Sequence, residues 1–212
     1  MRHKKVKNLA ERIEANRRFI VDDPRAYKGK WREFFGIEGP LYIELGCGKG
    51  KFITSHALDN PDACFIGIEG LGAVLIRGLE KAAETEIPNV RYIMEYVVDI
   101  RDFFEDDEVD GVYLNFSDPW PKARHAKRRF TFGDTLLKYR QILKDGGFVA
   151  FKTDNEELFE FTLEEIERLG LPINEMSRDL HNSDLAAREY TTEYEDKFRG
   201  YGKNINYVKI WG

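Results

Sequence analysis

From residue 40 onward, short apolar runs recur along the chain at similar intervals. Leu41–Leu45, Cys64–Ile68, Val90–Met94, Gly111–Asn115, Gly147–Lys152 and Tyr207–Trp211 are too short for helices and are flanked by turn-forming residues, so they predict strands. Between them, Lys51–Asp59, Val74–Glu84, Asp134–Lys144 and Asn155–Leu169 carry apolar residues at helical spacing. Alternation of this kind predicts βαβ units and a buried parallel sheet, an α/β fold. Gly146–Gly147 is expected to separate the helix Asp134–Lys144 from its strand. Before residue 40 the spacing of Leu9, Ala10, Ile13, Arg17 and Phe19, followed by Trp31, Phe34 and Phe35, predicts a helical extension ending near Gly36–Pro40. The chain thus divides into an extension, 1–39, and a domain, 40–212. Leu171–Lys203 is polar and irregular and reads as a long loop, a feature that is more often functional than idle in a compact domain.

The 212 residues are 42% hydrophobic and 33% charged, enough for a core and against disorder. No apolar run approaches the roughly 18–20 residues of a membrane helix. The basic start has no apolar core of a secretory signal. The two cysteines, Cys47 and Cys64, form no CxxC and have no nearby histidine cluster. No disulfide framework or metal site is expected, and a cytoplasmic setting is. The net charge of −5 is unevenly spread. Residues 1–32 hold eleven Lys and Arg against four Asp and Glu, and residues 118–140 hold seven against two. An acidic body with two basic patches suggests a polyanionic partner, although basic tails are also common on soluble proteins.

Chemistry concentrates at three places. Leu41 to Gly50 reads LYIELGCGKG, a strand entering a glycine-rich turn and then a helix. Gly46 and Gly48 match the first two glycines of a dinucleotide fingerprint, but Lys51 stands at the third. Glu44, just before the loop, would repel a pyrophosphate and suits a cationic amino group and sulfonium. Glu69 ends the second strand, nineteen residues after Gly50, where a ribose diol acceptor belongs. Together these residues favour S-adenosylmethionine over NAD; the alternative is a turn that merely tightens a βα connection. The second place follows the fourth strand, where Asn115-Phe116-Ser117-Asp118-Pro119-Trp120-Pro121 is stiffened by two prolines. It offers a wall for a flat base with Asp118 at the mouth, or else a rigid loop with Trp120 in the core. The third is the adjoining run Lys122 to Arg129, in which five of eight residues are cationic and none is acidic. Lys122, Arg124, Lys127, Arg128 and Arg129 are suited to nucleic-acid phosphates. His125, within that run, reads as a phosphate ligand rather than a general base.

The segment Asn115–Arg129, NFSDPWPKARHAKRR, resembles the signature of the bacterial tRNA (guanine-N7-)-methyltransferases. Glu44–Gly50, Phe151–Asn155 and Thr192–Glu195 resemble the same family's motifs. The resemblance implies a Rossmann-like S-adenosylmethionine-dependent methyltransferase fold: a mostly parallel seven-stranded sheet with helices on both faces. It implies methylation of N7 of the variable-loop guanosine at conventional position 46 of tRNA, by a monomer or homodimer. Carried over by motif, Glu44, Gly46, Gly48, Glu69, Tyr96 and Asp118 would line the cofactor, with Asp118 also at the target base. Asp154, Thr192, Glu193, Tyr194 and Glu195 would join Lys122 and the basic run at the substrate. Two places depart from the pattern: Tyr96 stands where the family usually has Asn or Asp, and Gly70-Leu71-Gly72 replaces bulkier polar residues. Action on another RNA or base atom, or an inactive RNA-binding module, are the alternatives.

Overall fold

The computed structural model describes residues 6–211. Its seven strands are β1 (Leu41–Leu45), β2 (Cys64–Ile68), β3 (Val90–Ile93), β4 (Val109–Asn115), β5 (Leu143–Thr153), β6 (Ile173–Ser177) and β7 (Asn206–Trp211). They form one sheet in the order β3-β2-β1-β4-β5-β7-β6. All pairs from β3 to β5 are parallel, while β7 runs antiparallel to both of its neighbours. The helices are α1 (Leu9–Ala15), α2 (Trp31–Phe35), α3 (Lys51–Asp59), α4 (Gly72–Glu84), α5 (Gly133–Ile142), α6 (Glu156–Arg168) and α7 (Glu193–Arg199).

Alternation along the strands sends side chains into a core on each face. On one face, Ile43, Val112, Val149 and Phe151 pack with Leu136 and Tyr139 of α5 and Leu158 and Phe159 of α6. On the other, Phe65, Val90 and Tyr92 pack with Phe52 and Ile53 of α3 and Leu75 and Leu79 of α4. The strand order reverses between β1 and β4, so the loops after these two strands diverge and leave a crevice at the carboxyl ends.

Residues 12–32, ahead of β1, are bound to the rest of the fold. Trp31 is fully buried in the first core, and its indole donates to the Phe103 carbonyl at 2.9 Å. The Glu108 carboxylate accepts from the backbone N–H groups of Gly29, Trp31 and Glu105 at 2.9–3.2 Å. Arg12 of α1 forks onto Glu80 of α4 at 2.7 and 2.8 Å.

Three local expectations are corrected. The helix expected to reach Lys144 stops at Ile142, because Leu143 already pairs with Val109. Gly146, with φ of 78°, lies in a bulge within β5 rather than between helix and strand; pairing jumps from Val109↔Leu143 to Gly111↔Phe148. The segment read as loop contains β6 and α7. β6 is an edge strand whose five residues are all exposed or half-buried, so it lacks the apolar alternation that marks a strand.

Candidate functional site

β1 delivers Glu44 to the sheet's carboxyl end, and the next residues turn sharply: Gly46, Gly48 and Gly50 have φ of 70°, 58° and 73°. Gly50 is also required by packing, since a Cβ there would lie 2.9 Å from the Gly78 Cα and 3.0 Å from the Tyr92 hydroxyl. Helices α3 and α4 therefore approach backbone to backbone just behind the loop. Cys47 is buried within the turn, and burial raises its thiol, which keeps it protonated and inert.

Glu44 is 1% exposed. Its Oε1 accepts from the Asn115 side-chain amide at 2.8 Å, and its Oε2 has no hydrogen-bond partner among the described residues. Burial, offset in part by the Asn115 hydrogen bond, pushes the carboxyl up to about 8. At the end of β2, Glu69 Oε1 accepts from the Leu71 backbone at 2.9 Å. Glu69, Gly70, Tyr96, Phe116, Asp118 and Trp120 all line a cavity of about 400 Å³ over the ends of β1, β2 and β4, with Gly46 at its floor.

The two sequence departures are a single packing unit. A Cβ on Gly70 would lie 2.5–2.6 Å from three atoms of the Tyr96 ring, so the ring rests against the glycine backbone. Tyr96 is 69% exposed and forms the lip of the cavity. Its neighbour Glu95 is taken up by Arg25, whose guanidinium forks onto the carboxylate at 3.0 and 3.2 Å.

Asp118 stands on a loop with two left-handed residues, Phe116 (φ 53°) and Trp120 (φ 41°). Arg129 holds this loop by donating to the carbonyls of Pro119 and Trp120 at 3.0 and 3.1 Å, while its guanidinium covers the Phe161 ring at 4.1 Å. Arg129 thus faces inward. Arg128 lies over the Trp120 indole at 4.8 Å and remains exposed, as do Lys122, Arg124 and Lys127. The run forms a short 3-10 helix from Ala123 to Arg128 directly after the Asp118 loop.

Asp154, just past β5, accepts from Lys203 at 3.1 Å and from the Tyr194 hydroxyl at 3.4 Å. Thr192 and Glu195 form a reciprocal capping box at the start of α7, the meaning of T-x-x-E in this sequence. Glu193 pairs with Lys81 of α4. Glu195 differs in setting from its neighbours: it is wholly buried, 2.7 Å from His181 Nε2 and 3.6 Å from Lys152 Nζ. Lys152 also donates to the Tyr190 carbonyl at 2.7 Å. Burial lowers Lys152 and His181 against the opposing pull of Glu195. This buried cluster ties β5 to the polar segment and fixes α7 beside the cavity. Sequence reading did not single out Asn115, Lys152, His181 or Arg25 for these contacts. The T-x-x-E signature could have revealed α7; the others carried no local signal.

A crevice at the strand-order reversal, a glycine loop after β1 and acids ending β1 and β2 define a Rossmann-like methyltransferase. The same fold occurs in an antibiotic-related methyltransferase (TM-score 0.62, 16% identity, 87% of this chain and 92% of that one). It occurs also in a 30S ribosomal A1408 methyltransferase from an uncultured bacterium (TM-score 0.59, 17% identity, 90% and 94% covered). Residues 38–208 match a family model described as a putative methyltransferase. Proteins named tRNA (guanine-N(7)-)-methyltransferase from Halalkalibacterium halodurans and Lachnoclostridium phytofermentans are each 45% identical, over 91% of this chain and 87% of the first relative, and 97% and 96% for the second. The chain belongs to the tRNA (guanine-N7-)-methyltransferase family.

Proposed function

We propose that the protein transfers a methyl group from S-adenosylmethionine to N7 of the variable-loop guanosine, conventional position 46, of tRNA, giving 7-methylguanosine in the cytoplasm. One observation carries the reading: Asp118 shares a cavity with Glu69 and Arg128, and the exposed cations Lys122, Arg124 and Lys127 adjoin its loop. The residues suit the cofactor. Glu44 Oε2 is a buried acceptor without a partner among the described residues, as an α-ammonium requires. Glu69 is placed for a ribose diol, and the Tyr96 ring offers its face to the purine, Glu95 being held by Arg25.

When bound, S-adenosylmethionine supplies a methyl group on a sulfonium, open to a nucleophile. Guanine N7 has an in-plane lone pair at neutral pH, so no side chain need remove a proton before attack. The work left to the chain is orientation and charge. Asp118 holds the purine in line and offsets the positive charge that builds on it. Lys122, Arg124, Lys127 and Arg128 bind phosphates, while Arg129 fixes the loop that carries Asp118. Asp154 and Tyr194 stand on the substrate side; Thr192 and Glu195 act there as positioning residues through the capping box and Lys152, and Glu193 through its pair with Lys81. The described part of the extension, residues 6–39, serves as a brace on the methyltransferase domain, 40–212.

Labelled S-adenosylmethionine with total tRNA, followed by nucleoside analysis, tests the proposal. Label in 7-methylguanosine is expected. Label in another nucleoside would transfer the reading to another base atom, and binding without transfer would leave an RNA-binding module.

A further inference from the structure

Helix α7 is inverted with respect to an ordinary surface helix. The residue it buries is a carboxylate, Glu195, while its aromatic residues are exposed (Tyr194) or half-buried (Phe198). Tyr194 is 43% exposed and Tyr201, just beyond the helix, 71%. The rings form a continuous series. Phe116, which lines the cavity beside Asp118, is 5.1 Å from Tyr194; Tyr194 stacks on Phe198 at 4.2 Å and 28°; Phe198 meets the Tyr201 ring at 6.1 Å. Cations flank the outer half, with Lys203 Nζ 5.4 Å and Lys197 Nζ 5.6 Å from the Phe198 ring centre. The acids of the same region are paired: Asp196 with Lys51, Glu193 with Lys81, and Asp154 with Lys203 and the Tyr194 hydroxyl.

We propose that Phe116, Tyr194, Phe198 and Tyr201 form a stacking track for unpaired nucleobases next to the target guanosine. The inference rests on the tRNA reading above and extends it to the neighbours of the methylated base. Three features select nucleobases as the occupant. The track begins inside the reaction cavity, so whatever lies on it is covalently close to the substrate base. Aromatic faces interleaved with lysines match the alternating rings and phosphates of a single strand. Tyr194 and Tyr201 keep 43% and 71% of their surface exposed, which leaves room for a partner ring beside them. A base in a variable loop can leave its neighbours at small cost, since single-stranded loops are where bases splay onto aromatic side chains.

The test is a double-mutant cycle on full-length protein with a tRNA transcript. The nucleotide on either side of the target guanosine is made abasic, one at a time, and Kd is measured for wild type, Phe198→Leu and Tyr201→Leu. An abasic change at one flank should weaken wild-type binding about tenfold, within the range for one base–aromatic stack. The leucine variants should bind intact tRNA about tenfold more weakly and show little further loss with the abasic transcript. Tyr201 is largely exposed, so Tyr201→Leu keeps the cycle interpretable should Phe198→Leu fail to fold. Equal abasic penalties in all proteins, or none in wild type, would overturn the track. Wild-type transfer to the intact transcript is scored in parallel. Absence of 7-methylguanosine there would sink the tRNA reading itself, whereas its presence with insensitive Kd values sinks the track alone.

Discussion

Replacing Glu44 by Gln separates what this carboxylate does to stability from what it does for the cofactor. The amide keeps an oxygen to accept from Asn115 at the 2.8 Å contact but cannot ionise. In the folded protein the carboxyl is raised from 4.5 to about 8, mainly by burial. Its folded-state value lies above its unfolded value, so between these pH values the native state holds a proton that the unfolded state has lost. Stability must therefore fall as pH rises through that window, by roughly 1.4 kcal/mol per pH unit for one proton. Glu44→Gln removes this slope and leaves all others. Urea unfolding of the cofactor-free proteins from pH 5 to 8 should show wild type losing about 2–3 kcal/mol relative to the variant between pH 5 and pH 7. Added S-adenosylmethionine should reverse the order, because its ammonium pairs with Oε2 only when Glu44 is charged. Wild-type affinity should then increase from pH 6 to pH 7, where the ammonium is still protonated, and the variant's should be weaker and flatter. Unfolding curves whose separation does not change with pH would refute the buried, protonated Glu44.

Three further outcomes are expected. Asp118→Ala should abolish methyl transfer with cofactor and tRNA both saturating while leaving the thermal midpoint near wild type; retained turnover would remove it from the reacting centre. Arg128→Ala should reduce the slope of log K for tRNA against log salt by about 0.7–0.9, whereas Arg129→Ala, which frees the Pro119 and Trp120 carbonyls, should lower kcat and stability more than the salt slope; identical behaviour of the two would contradict their opposite orientations. Gly70→Ala should weaken cofactor binding by displacing Tyr96, and the loss should be smaller when Tyr96→Ala is already present; strictly additive effects in cofactor titrations would mean that the two sites act independently.

How far the site was legible depended on whether its determinants were local. The strands from Leu41 to Asn115 announce themselves by apolar runs, because both faces of a parallel sheet are covered. The glycine loop and the stiffened Asp118 loop likewise carry their backbone geometry in their own residues. β6 was silent because an exposed edge strand needs no buried alternation. The cluster of Lys152, His181 and Glu195 joins residues distant in sequence, and no spacing rule connects them. For the same reason Arg129 looked like another phosphate cation, its inward turn depending on Phe161 of α6.

The contact between Gly70 and Tyr96 also makes evolutionary change directional. With the tyrosine in place, any side chain at 70 starts 2.5 Å from its ring, so position 70 can change only if the ring moves aside. With glycine in place, by contrast, position 96 can shrink freely, since the exposed ring gives up one contact and no core packing. A lineage passing between this arrangement and one with a bulky residue at 70 and a small one at 96 travels at least cost through the small–small intermediate, because the large–large combination must displace the ring. The pair therefore favours one order of its two steps in each direction: the ring at 96 shrinks before a side chain enters at 70, and the side chain at 70 leaves before the ring returns.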